Sequence, residues 1–237
     1  MSQLFYLKKC SSTNDEISKF LLYESSDFIS LHTFNQTKGR GQYGNTWSST
    51  AEKNLAFTLA VKTGRFTISD FMFNYYTAIV ISDFLANLTG NPVKIKWPND
   101  IILKNKKIVG ILIEKKKINQ NNYFIIGGGF NILQEKFDEI SNAGSLLTQT
   151  GKHFNLDELA LNLHDFLIEK LSANPSEKEI LDRFNANLFR KDEISVFELD
   201  GKRQNGIIRN ADENGELWIE LEDGLKSFYH KEIKLLY

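Results

Sequence analysis

Residues 93–132 read VKIKWPNDIILKNKKIVGILIEKKKINQNNYFIIGGGFNI. Four apolar runs, VKIKW (93–97), DIIL (100–103), KIVGILIE (107–114) and NYFIIGG (122–128), are separated by links of only a few polar residues. Links that short suit antiparallel hairpins, because a parallel crossover needs a dozen residues or more. The stretch predicts a mixed or antiparallel sheet, not a doubly wound one.

The flanks supply helices. Upstream, Thr13-Asn14-Asp15-Glu16 has capping-box spacing and leads into Ile17, Phe20 and Leu21 on one helical face. Residues 29–34 and 55–61 read as strands, joined by a polar, glycine-bearing loop over 35–53. A longer helix runs from a cap at Ser69 or Asp70 to a stop at Gly90, with Phe71, Tyr75, Ile79 and Leu88 among its apolar positions. Downstream, 156–172 and 176–189 read as helices, and Leu159, Leu163, Phe166 and Leu167 form one stripe. From Glu193 onward, short apolar runs are broken by Asp200-Gly201, Asn214-Gly215 and Asp223-Gly224, which predicts a small β-barrel. The chain therefore reads as α+β: a sheet with flanking helices over 1–190, then a C-terminal barrel over 191–237.

Composition narrows the function classes. At 237 residues the chain has room for a sizeable core, and its 12% aromatic content argues against disorder. No run of about 18 apolar residues occurs, and the N-terminus MSQLFYLKKC lacks the pattern of a signal peptide. A single cysteine, Cys10, excludes an internal disulfide and a cysteine-based zinc site. A net charge of −1 exerts no global pull on nucleic acid. These readings point to a soluble cytoplasmic protein.

The most unusual segment is NQTKGRGQYGNTW (35–47). Gly39, Gly41 and Gly44 with Arg40 make a loop whose amides and cation suit a phosphate or carboxylate, because a backbone without Cβ atoms approaches closely. Its spacing is neither that of a P-loop nor that of the dinucleotide fingerprint. Trp47 is either a core residue or a flat platform for an adenine. Residues 94–117 hold eight lysines against Asp100 and Glu114. Lys106 and Lys107 stand out among these, because they open an apolar strand where a charge can face a cleft. Gly110 within that strand indicates close approach by another backbone or a ligand. Trp97-Pro98-Asn99-Asp100 is a turn whose acid can pair with a lysine or meet Mg²⁺. Gly127-Gly128-Gly129 suits either a ligand or a β-bulge. His32, His153, His164 and His230 show no metal-ligand spacing.

Together, Ser12-Thr13-Asn14, Gln36 with GRGQYGNTW, KWPND (96–100), KIVGILIE and GGGFN (127–131) resemble the biotin protein ligases across nearly the whole chain. That resemblance implies a class II synthetase-like catalytic domain with an SH3-like C-terminal barrel. It implies an enzyme that uses ATP and Mg²⁺ to convert biotin to biotinyl-5′-AMP. The acyl group then passes to a lysine of a biotin carboxyl carrier protein, such as that of acetyl-CoA carboxylase. No tightly bound prosthetic group is implied.

By matching positions, Ser12, Thr13, Asn14 and Gln36 are implied at the ureido ring, and Arg40, Gly41 and Gln42 at the biotin carboxylate and α-phosphate. Lys107 is implied between the two anions, and Gly110 and Gly129 are implied among the biotin-binding residues. The resemblance further implies Lys107 and Arg40 as the catalytic pair, Trp47, Asn99 and Asn131 at the nucleotide, and Asp100 as the carboxylate that meets the metal or orients a lysine. One departure stands out: the common loop pattern is GRGRxGRxW, and this chain has Gln42 and Asn45 at the second and third arginine positions. Relatives that double as repressors carry a DNA-binding domain ahead of the serine-threonine-asparagine anchor, so no specific DNA binding is expected here. The rivals are a lipoate or octanoate ligase or transferase of the same fold, and a non-catalytic adaptor using the lysine-rich sheet. Oligomeric state, monomer or homodimer, is not legible.

Overall fold

A computed structural model describes residues 2–23, 26–137 and 141–237. The chain begins with β1 (Ser2–Tyr6), α1 (Thr13–Phe20), β2 (Phe28–Thr33), β3 (Gly39–Arg40), β4 (Thr46–Trp47) and β5 (Asn54–Lys62). It continues through α2 (Asp70–Thr89), β6 (Val93–Lys96), β7 (Asp100–Leu103), β8 (Lys106–Ile118) and β9 (Asn121–Asn131). It closes with α3 (Leu146–Thr150), α4 (Leu156–Leu171), α5 (Glu177–Ala186), β10 (Ile194–Leu199), β11 (Lys202–Ala211), β12 (Leu217–Leu221), β13 (Gly224–Phe228) and β14 (Lys234–Leu236). Two compact units result: Met1–Thr67 with Lys106–Asn174, and Ile68–Asn105 with Pro175–Tyr237.

In the first unit the strands run in the order β1-β2-β5-β9-β8. β1 and β2 are parallel, and the other pairs are antiparallel. The sheet is therefore mixed, and the parallel strand responsible, β1, is one that the sequence patterning does not reveal. β2 is buried along its whole length because both of its faces are covered. Ile29 and Leu31 pack with Ile17 and Leu21 from the α1 side, together with Ala60, Tyr123 and Ile125. Ser30 points the other way, where its hydroxyl lies 2.8 Å from Nδ1 of His164 on α4.

Side-chain alternation across the ladders defines the face that matters. Ala56 and Thr58 of β5, Gly127 and Gly129 of β9, and Gly110, Leu112 and Glu114 of β8 share one side of the sheet by register. α1 covers one end of that side. Beyond it, three glycines leave the sheet surface without side chains.

The second unit holds α2, the antiparallel β6–β7 hairpin, α5 and a five-stranded antiparallel sheet ordered β13-β12-β11-β10-β14. α2 starts where expected, with the Ser69 hydroxyl accepting from Met72 N–H, and stops at Gly90 in the left-handed conformation. Tyr75 of α2 stacks on Phe184 of α5 at 3.8 Å between centroids. Phe71 departs from the core position expected of it: it is 46% exposed and packs against the Gly215 turn. The turn signals at Asp200-Gly201, Gly215 and Gly224 all carry positive φ, as tight hairpins require. The C-terminal strands form the small antiparallel sheet that the turn spacing predicts, and among the described residues no pairing joins its outer strands β13 and β14. No helix among the described residues is long and apolar enough to cross a membrane.

Candidate active site

The site of the first unit begins at α1. Its N-cap is Ser12, one residue before the capping box read from the sequence, and no side-chain cap bond forms. The expected cap residue is otherwise engaged: Thr13 N–H donates to Gln36 Oε1 at 2.8 Å, and Thr13 Oγ1 lies 3.2 Å from the same oxygen. Gln36 reaches this position because residues 35–38 run beside 10–13. Cys10 N–H donates to Asn35 O, Thr37 N–H to Cys10 O and Lys38 N–H to Ser11 O. Burial between these segments pushes the Cys10 thiol up to about 11, with the nearby Glu16 charge adding to the effect.

Behind Thr13 stands Thr58 of β5, whose hydroxyl lies 2.8 Å from Thr13 Oγ1 and 2.7 Å from Asn14 Oδ1. Ser12, Thr13, Asn14 and Thr58 are all buried. Asn14 rests on the first of the bare glycines: a Cβ on Gly127 would come within 2.8 Å of Asn14 Cγ. Trp47 lies over the other two. A Cβ on Gly110 would stand 2.7 Å from Trp47 Cζ3, and one on Gly129 would stand 2.9 Å from Cδ2. The close neighbour expected at Gly110 is therefore an indole of the chain itself. Gly128 points to the opposite face, where the Phe130 ring fills the space.

Lys107 reaches the same face. Its Cε is 3.3 Å from the Cβ position of Gly110, and its Nζ sits 5.4 Å from the Trp47 ring centroid, within cation–π range. Strict alternation back from Gly110 would turn Lys107 away, so the strand pattern alone does not place it. Its backbone is pinned by Lys107 N–H donating to Asn142 O and by Gly144 N–H donating to Lys107 O. Asn131 is buried, with Nδ2 at 3.5 Å from Lys107 O.

The Gly-Arg-Gly loop is a β3–β4 hairpin, with Gly39 opposite Trp47 and Arg40 opposite Thr46. Gln42 is at its tip, and Gly41 N–H donates across the turn to Asn45 O at 2.7 Å. That amide is spent within the hairpin. Arg40 Nη1 and Nη2 donate to the two oxygens of Glu114 at 3.1 and 3.0 Å, and Nη2 donates to Asp15 Oδ1 at 2.8 Å. Desolvation acts to lower the Arg40 pKa, but Glu114 and Asp15 outweigh it and the guanidinium is held above its usual value. Lys116 completes the group, donating to Asn14 O at 2.6 Å and lying 3.7 Å from Asp15.

The structure thus gathers Ser12, Thr13, Asn14, Gln36, Arg40, Gly41, Gln42, Trp47, Lys107, Gly110, Gly129 and Asn131 in one unit. Sequence reading missed Thr58, Asp15, Glu114 and Lys116. Thr58 had a usable signal, as the polar residue inside the apolar run LAFTLAV. The Arg40–Glu114 pair spans 74 residues and had none. Asn99 and Asp100 belong to the second unit, where Asp100 lies across the β6–β7 turn from Lys96 at 3.9 Å. There burial, reinforced by the Asp100 charge, drives the Tyr237 hydroxyl upward. Among the described residues no group of three or more His, Cys, Asp or Glu side chains is placed to hold a metal ion.

A family model described as the biotin/lipoate A/B protein ligase family matches residues 7–131. The Bifunctional ligase/repressor BirA of Escherichia coli is 29% identical over 212 residues, which cover 84% of this chain and 64% of that protein. The biotin--[acetyl-CoA-carboxylase] ligase of Mycobacterium tuberculosis is 25% identical over 228 residues, covering 92% of this chain and 84% of the relative. A solved structure, biotin protein ligase from Aquifex aeolicus in complex with biotin and ATP, superposes with a TM-score of 0.81. It is 27% identical and covers 99% of this chain and 98% of the other.

Proposed function

This chain belongs to the biotin/lipoate A/B protein ligase family, and on that premise we propose that it activates biotin with MgATP and transfers it to a lysine of a biotin carboxyl carrier protein. One observation carries the choice of biotin within the family. Gln36, Thr13, Thr58 and Asn14 form a connected set of hydrogen-bonding groups at the end of a glycine-bared sheet face. A ureido ring offers two N–H donors and a carbonyl acceptor to such a set. The dithiolane of lipoate and the tail of octanoate offer neither, and would cover these polar groups without adding a hydrogen bond to them.

Adenylation joins two anions. A biotin carboxylate oxygen attacks the α-phosphorus, the bond from that phosphorus to the bridging oxygen breaks, and pyrophosphate leaves. In the second step the carrier lysine, as a free amine, attacks the acyl carbon; AMP departs and the nitrogen loses a proton. Lys107 and Arg40 are the proposed cations at the carboxylate and α-phosphate, where fixed charge lowers the barrier by opposing the repulsion that builds as they meet. Trp47 and Asn131 are proposed for the nucleotide. On the family resemblance alone, Asn99 is proposed for the nucleotide and Asp100 for the magnesium that accompanies ATP, an ion commonly held by one or two carboxylates plus substrate phosphates. The 191–237 segment is proposed as a distinct C-terminal module.

The test is biotin-dependent exchange of labelled pyrophosphate into ATP, with lipoate and octanoate run in parallel. Exchange with biotin alone is the expected result. Exchange with lipoate or octanoate in its place, or with none of the three, overturns the proposal.

A further inference from the structure

Glu114 ends the apolar KIVGILIE run, and the structure makes it a junction. Its Oε1 accepts from Arg40 Nη1, while Oε2 accepts both from Arg40 Nη2 at 3.0 Å and from Asn14 Nδ2 at 2.9 Å. One carboxylate oxygen therefore joins the arginine of the hairpin to the asparagine of the buried polar set. An exposed ion pair adds only about 0–1 kcal/mol to stability, so the fold gains little from this one. Orientation is where it acts. A carboxylate only accepts, so it draws the NH₂ end of the Asn14 amide to itself and turns Oδ1 toward Thr58, 2.7 Å away. On the other side, the fork-on-fork contact fixes the plane of the Arg40 guanidinium. Of that group's five N–H donors, Glu114 and Asp15 take three. Among the described residues the Nε–H and one Nη1–H have no partner, and they are left for an anionic ligand.

We infer that Glu114 is a positioning residue that sets Arg40 and Asn14 together, so that the carboxylate end and the ring end of the ligand site are held in one register. The inference rests on the biotin-adenylating reading above. Glu114→Gln is the informative variant, because its amide is nearly the same shape but carries no charge for Arg40 and can present an N–H to Asn14.

Biotin KM in pyrophosphate exchange and the dissociation rate of biotinyl-adenylate should each rise about tenfold, in line with the loss of charge-assisted hydrogen bonds, while kcat changes much less. In an Arg40→Ala background the same change should add little further, since its main partner is already gone. Glu114→Asp, which keeps the charge on a shorter stem, should recover part of the loss and serves if Glu114→Gln folds poorly. Thermal unfolding, run alongside, should shift by no more than a few degrees.

Wild-type values of KM and dissociation rate in Glu114→Gln overturn the inference, as do effects that simply add in the Arg40→Ala background. A wild-type protein inert toward biotin overturns the functional reading instead, and with it any role for the junction.

Discussion

Asn14 stands where a side chain on Gly127 would begin: a Cβ built on that glycine lies 2.8 Å from Asn14 Cγ. The two residues are far apart in sequence and come from a helix start and a strand. Their contact is what lets the Asn14 amide lie flat on the sheet.

Gly127→Ala should therefore displace Asn14 without disturbing the ladder. Overpacking of this kind costs about 1–3 kcal/mol. The expected result is a lowered melting temperature and a raised biotin KM. Adding Asn14→Ala should restore much of the stability and none of the affinity. A Gly127→Ala protein with wild-type melting and KM would show that the sheet yields more easily than its pairing implies.

Lys107→Ala separates catalysis from simple carrier binding. On the proposed role of Lys107, removing a charge aimed at the transition state should cost about 10²–10³ in kcat. Pyrophosphate exchange should fall by that factor while affinity for the carrier domain stays near wild type. Loss of carrier binding with exchange intact would favour the adaptor reading.

Acid should destabilise the fold through two buried imidazoles. Burial holds His164 below its ordinary 6.5, with Asp165 partly opposing; burial also lowers His32, against the Phe5 backbone and Asp157. At neutral pH both are uncharged in the folded protein, and on acidification the unfolded chain takes up their protons first, near pH 6.5. Stability is thus complete above that pH and lost as pH falls through it toward the folded values, by up to about 1.4 kcal/mol per pH unit for each group. Melting temperatures between about pH 7.5 and 5.5 should show the decline, and His164→Gln should flatten it. A curve identical in wild type and variant would assign the decline elsewhere.

Gln42 lies at the hairpin tip, at the second arginine position of the loop pattern that the sequence resembles. Gln42→Arg should slow biotinyl-adenylate dissociation several-fold, as a charged hydrogen bond exceeds a neutral one by about 1 kcal/mol. Equal dissociation rates before and after the change would show that Arg40 and Lys107 already suffice.

The strands of 93–131 were legible because their links are too short for anything but hairpins, and α2 was legible because Ser69 and Gly90 mark both of its ends. β1 was not: a five-residue edge strand with a half-buried pattern carries little alternation signal. Ser12, Thr13, Asn14 and Gln36 were legible as motif residues, but the reason they meet was hidden. Thr58 and Glu114 act by register, and register across strands is a property of the folded sheet. Arg40 shows the limit most clearly, since its type announced a cation and only the fold disclosed that two carboxylates hold it.

The bond between Asn14 and Glu114 bridges 100 positions of the chain, and that between Thr58 and Asn14 bridges 44. Contacts this remote cannot assemble locally while the chain is still open, so the unfolded protein has no fragment of the cluster with which to hold a ligand. Ligand and native state are then thermodynamically linked. A compound held by this cluster at a hundred times its dissociation constant would protect the fold against heat by about 2.7 kcal/mol, and a compound that fails to protect it does not bind there.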